Sequence, residues 1–101
     1  MKRTERISSM EEILDKTLEM IREMDSALEK YRAVQPEIEK LNRYYGSKEW
    51  HGDLKADEEG KLPADLKRGV LSEDGIYDVL TDNRRLIEEM QEIVQAYENR
   101  K

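Results

Sequence analysis

The sequence predicts an all-α, helical-bundle-like protein: two long antiparallel helices, the first kinked near Pro36, with a short helical segment between them. Three observations carry that reading. Apolar residues recur at alternating intervals of three and four over 7–45 and again over 76–97, the spacing of a helix that packs along its length. The strongest breakers are scarce: Pro occurs twice, and all five glycines fall between Gly46 and Gly75. Charged residues make up 42% of the 101 residues, with a formal net charge of −6. That composition suits disorder or exposed helices, and the regular apolar spacing decides for helices.

The first helix follows from a stripe running Ile7, Met10, Leu14, Thr17, Ile21, Met24, Leu28, Tyr31, Gln35, Ile38, Asn42 and Tyr45. A second column lies beside it at sevens: Ile13, Met20, Ala27, Val34 and Leu41. Together they are broader than a two-stranded coiled coil requires and suit a helix with two neighbours. Ser8 or Ser9, ahead of Glu11 and Glu12, is placed to cap its start. Pro36 has no N–H and its ring crowds the carbonyl of Arg32, so the reading gives two segments, 5–34 and 36–45.

The middle of the chain is built from turn chemistry. Gly46 is placed to end the helix in a left-handed conformation, and Ser47 to cap a short helix over 48–59 that Gly60 terminates. That segment is acidic, with five acids against Lys48 and Lys55. Pro63 suits the first position of a helical turn over 63–68, closed by Gly69. Leu71-Ser72-Glu73-Asp74-Gly75-Ile76 opens the last helix, 73–98: Ser72 is the cap, the acids match the dipole, and Leu71 can pack on Ile76. Its stripe, from Ile76 and Leu80 through Asn83, Ile87 and Met90 to Val94 and Tyr97, repeats the form of the first. One helical domain, 1–101, is expected. Two helices bury such broad stripes poorly, so either 47–71 covers the remainder or a homodimer completes a four-helix bundle.

The non-repetitive middle also carries a resemblance. Tyr44-Tyr45-Gly46-Ser47-Lys48-Glu49-Trp50, the Asp57-Glu58 to Gly60 segment, and the run from Leu62-Pro63 through Asp65-Leu66-Lys67-Arg68-Gly69-Val70-Leu71-Ser72-Glu73-Asp74 resemble a bacterial family of uncharacterised small proteins, the domain of unknown function numbered 4298. The resemblance implies a bacterial, intracellular origin and transfers no activity, substrate or site residue.

Composition and motifs narrow the function classes. Without cysteine there is no disulfide framework, thiol nucleophile or zinc ribbon. No apolar run approaches the roughly 20 residues of a membrane span, and the N-terminal residues lack a signal-peptide pattern. A cytoplasmic protein without membrane contact is expected. The net negative charge argues against nucleic acid as a partner. Neither a phosphate-binding glycine loop nor a G-x-S-x-G elbow occurs, and no cofactor is expected.

Three groups merit weighing. Tyr44, Tyr45, Trp50 and His51 form a recognition surface or else a mini-core that pins the middle segment; Tyr and Trp serve both purposes. His51, the lone histidine, with Asp53, Asp57 and Glu58 is the alternative centre of a small metal-dependent or hydrolytic activity, weighed against exposure on an acidic helix. The acidic run lacks the ligand pattern and central glycine of a calcium loop, so no metal site is assigned. Asn42 and Asn83, polar residues on the seams, either specify register or lie at the water's edge. In a matched antiparallel pair Asn83 falls opposite Met24, with no polar partner in the chain. The leading expectation is a non-catalytic protein–protein interaction or adaptor protein whose partner the residues do not name.

Overall fold

A computed structural model describes residues 2–100. The protein is all-α. Helix α1 spans Lys2–Tyr44, α2 spans Lys48–Glu58, a single 3-10 turn covers Gly69–Leu71, and α3 spans Gly75–Asn99. The described residues contain no strand.

The first departure from expectation lies at Pro36. Instead of two segments, 5–34 and 36–45, the structure has one helix assigned through the proline. A proline removes one donor, here the one owed to the Arg32 carbonyl, while its neighbours keep helical backbone and the apolar phase runs on unbroken. One turn below, the Gln35 side chain adds a donor, its Nε2 bonding the Tyr31 carbonyl at 3.2 Å. By its contacts the chain groups into two compact units, divided after Pro36.

The first unit is the α1 segment up to Pro36, held by its own helical hydrogen bonds, and none of its residues is buried. The helix is already formed at Lys2, so Ser8 and Ser9 stand inside it and do not cap it.

The second unit, from Glu37, is organised by its turns. Gly46 takes φ +78°, the left-handed region that ends α1. The Ser47 side chain then accepts the Trp50 backbone N–H at 3.2 Å and caps α2. At the far end Gly60 takes φ +69°. Its N–H bonds the Asp57 carbonyl at 3.0 Å and the Lys61 N–H reaches the Ala56 carbonyl at 2.9 Å, the paired bonds of a Schellman stop.

The expected helix over 63–68 is not formed. Those residues make a turn, closed by the Leu66 N–H on the Pro63 carbonyl at 3.2 Å, and the helical turn comes later at Gly69–Leu71. Six residues are too few to nucleate a helix unaided, and Arg68 at their end is drawn aside to Asp57.

The core is small: Leu71 is 8% exposed and Ile76 only 2%, the two residues that the staple pattern singled out. Between them Ser72 acts in both directions. Its hydroxyl donates to the Gly69 carbonyl at 2.7 Å and accepts the Gly75 N–H at 3.0 Å. Helix α3 therefore begins at Gly75, two residues after the predicted start. A Cβ at Gly75 would lie 2.3 Å from the Gly69 carbonyl oxygen and 2.7 Å from Ser72 Oγ. Close backbone approach, and not a capping box, is what the position requires.

Candidate functional site

Tyr44, Tyr45, Trp50 and His51 do come together, because Gly46 turns the chain and Ser47 starts α2 immediately afterwards. The Trp50 ring packs edge-on to Tyr45, with centroids 5.3 Å apart and planes at 71°. It meets His51 in the same way at 5.1 Å and 75°. Such geometry places ring edges against ring faces, the favoured arrangement for aromatic pairs. Trp50 also reaches across the unit: its indole Nε1–H donates to the Val70 carbonyl at 2.9 Å. That bond ties α2 to the 3-10 turn that carries Leu71 into the core.

Tyr44 is committed in a similar way. Its hydroxyl donates to Asp53 Oδ2 at 2.6 Å, linking the last residue of α1 to α2. The hydrogen bond to Asp53, with smaller effects of burial and of the carboxylate's charge, pushes the Tyr44 phenol up to about 12. Tyr44, Tyr45 and Trp50 are half-buried, while His51 is exposed. Three of the four residues thus have structural work within the unit, and His51 is the most exposed member of the cluster.

The acidic segment is dispersed by its partners. Asp53 serves Tyr44, and Asp57 receives Arg68 Nη1 at 2.8 Å in an ion pair only partly open to water. His51 and Glu58 are exposed. Among the described residues no three His, Cys, Asp or Glu side chains gather in a group that could hold a metal ion. Asn42 is exposed; Asn83 is half-buried and engaged in an interaction of its own, contrary to the expectation that it lacks a partner.

Sequence reasoning missed four participants: the Val70 carbonyl, the Arg68–Asp57 pair, the Asp53 acceptor and the steric role of Gly75. All four are contacts across turns, so no helical period could reveal them. The one available signal was Gly75 itself, a helix breaker in the first turn of a strong helix.

The unit also has an open groove of about 350 Å³, lined by Leu41, Val70, Ile76 and Val79 with Lys67 and two glycines. Larger apolar surfaces lie on the helices themselves. In the first unit Ile7, Met10, Ile13, Leu14, Met20 and Ile21 are 50–59% exposed. Towards the end of α3, Ile93, Val94 and Tyr97 are 54–66% exposed. No helix among the described residues is long and apolar enough to cross a membrane.

These features define a class: an all-α protein with a small turn-built core and helices that leave many large apolar side chains exposed. The chain belongs to the family described as Domain of unknown function (DUF4298), whose model matches residues 7–93. No curated protein and no solved structure matches it.

Proposed function

We propose that the protein is a non-catalytic interaction protein, an adaptor that engages other proteins through exposed helical faces. The observation that carries this reading is the first unit's stripe. Over 7–31 it holds a heptad series of large apolar side chains, interrupted only by Thr17, yet none of its residues is buried. A contiguous exposed apolar surface of this kind is costly in water and marks an interaction site. The aromatic cluster supports the second unit: the Tyr44 hydroxyl is bonded to Asp53 and the Trp50 indole to the Val70 carbonyl, which ties its turns and helices together. A cytoplasmic setting accords with the cysteine-free, highly charged composition.

The test is affinity capture from the native cell with three baits: wild type, a stripe variant carrying Ile13→Glu and Met20→Glu, and Trp50→Phe. The expected outcome is loss of the captured proteins with the stripe variant and retention with Trp50→Phe. Identical capture by wild type and stripe variant overturns the proposal.

A further inference from the structure

We infer that the face over residues 7–34 is occupied by a second copy of the same chain, laid antiparallel with Ile21 opposite the second copy's Met24. This names a partner for the interaction reading above and rests on it.

The argument begins with what flanks the seam. On one side stand Glu11, Leu18, Asp25 and Arg32, and on the other Ile13, Met20, Ala27 and Val34. All eight are exposed. When two such helices run parallel, unlike flanks meet, as in two-stranded coiled coils. Met20 would then face the second copy's Asp25, and Ala27 its Arg32, setting apolar groups against charges. Antiparallel helices bring like flank to like flank. In the stated register the apolar flank closes on itself, Ile13 on Val34 and large Met20 on small Ala27. The charged flank sets Glu11 against Arg32, and the two-fold axis makes that pair twice.

Neighbouring registers fail on charge. A shift of one heptad in one direction faces Glu11 with Asp25, and in the other Asp25 with its own copy; like charges held so close are unfavourable. The chosen register has one mismatch, Leu18 against Asp25, which supplies a test.

The area is adequate. Twenty-eight residues at 1.5 Å each make a seam of about 42 Å on a helix about 10 Å across. Covering half its perimeter buries about 650 Å² per copy, or about 1,300 Å² in all, within the range of specific stable interfaces. The C₂ arrangement is closed, so it yields dimers and not fibres.

Sedimentation equilibrium on the full chain tests the inference. Wild type is expected to dimerise. Arg32→Glu or Glu11→Arg alone should weaken the dimer about 10-fold, since each replaces two attractive pairs by two repulsive ones. The double reversal should restore it, and Asp25→Leu should tighten it. Because the chain has no cysteine, orientation can be read by oxidation: Met20→Cys mixed with Ala27→Cys should give a mixed disulfide in excess of either variant alone. Ready self-linking by Leu14→Cys would signal a parallel pair and overturn the inference. A monomeric wild type also overturns it, as do charge reversals without effect on a dimer. If the chain is monomeric while the stripe variant still loses captured proteins, the second copy alone is wrong. If the stripe variant changes neither self-association nor capture, the interaction reading fails as well.

Discussion

Ile21 and Ile76 both stand on the seams of two similar heptad stripes, yet Ile21 is 59% exposed and Ile76 is 2% exposed. The apolar period does not say which of them is buried. The difference comes from neighbours outside any helix: Gly69, Leu71 and Ser72 fold a turn over the start of α3, and Trp50 fixes that turn through Val70. Up to Pro36 the chain has no such turn, and its stripe remains open within the unit. An amphipathic face is thus a demand for a partner, and within the second unit the turn around Leu71 meets that demand at Ile76.

Substitutions can sharpen that contrast, starting with the core. Ile76→Ala should cost about 3 kcal/mol, as for other fully buried aliphatic truncations, and should lower the thermal midpoint followed by Trp50 fluorescence. Ile21→Ala, measured at concentrations too low for association, should change stability by less than about 0.5 kcal/mol, the range for exposed positions. Equal losses at the two sites would break the contrast.

Gly75→Ala comes next. Alanine is ordinarily the better helix former, but here its Cβ meets the Gly69 carbonyl oxygen and Ser72 Oγ. The turn must shift, at a cost of about 2 kcal/mol by analogy with overpacked sites. A stabilised variant in chemical denaturation would show that the Gly69–Gly75 approach is not a constraint. Trp50→Phe keeps an aromatic ring against Tyr45 while removing the indole donor to Val70 and part of the ring. It should cost about 1 kcal/mol, the net worth of one hydrogen bond.

The smallest effect is on pH dependence. The Tyr44 phenol is raised from 10.0 to about 12 because its proton is donated to Asp53. The folded state holds that proton more tightly than the unfolded state. The stabilisation is therefore fully present below pH 10 and is lost as pH rises from 10 to about 12. Tyr44→Phe should flatten this part of the stability profile and lower its neutral part uniformly, by about the net worth of one hydrogen bond, without changing its shape there. A wild type and variant with the same alkaline slope would show that Asp53 does not hold the proton.

Much of the fold was legible in the sequence. The two heptad stripes gave the long helices, Gly46 and Gly60 marked the left-handed stops of α1 and α2, and Ser47 marked the start of α2, because each depends on residues within one or two turns. Ser72, read as the cap of the last helix, lies two residues before the actual cap, Asp74. Helix α2 was placed within one residue of its end. Two misreadings have the same origin. Pro36, read as a kink, was taken to divide the first helix into 5–34 and 36–45 where one helix runs through it, and 63–68 was taken to form a helix that its short length and the Arg68–Asp57 pair disfavour. In both places a local propensity was outweighed by what surrounds it.

The candidate site was half legible. That Tyr44, Tyr45, Trp50 and His51 lie together followed from a glycine turn between two helices. That Tyr44 would choose Asp53 and Trp50 the Val70 carbonyl, 20 residues on, did not.

By itself the sequence determined the helices, their stops and their apolar faces, since hydrophobic period and turn chemistry act over a few residues. Tertiary structure alone decided which face is closed. It buried Leu71 and Ile76, tied the Tyr44 hydroxyl and the Trp50 indole to the unit's own carboxylate and backbone, and left Ile7, Met10, Ile13, Leu14, Met20 and Ile21 exposed. Burial depends on which distant groups meet, and a repeating pattern states that a partner is needed without saying which one comes.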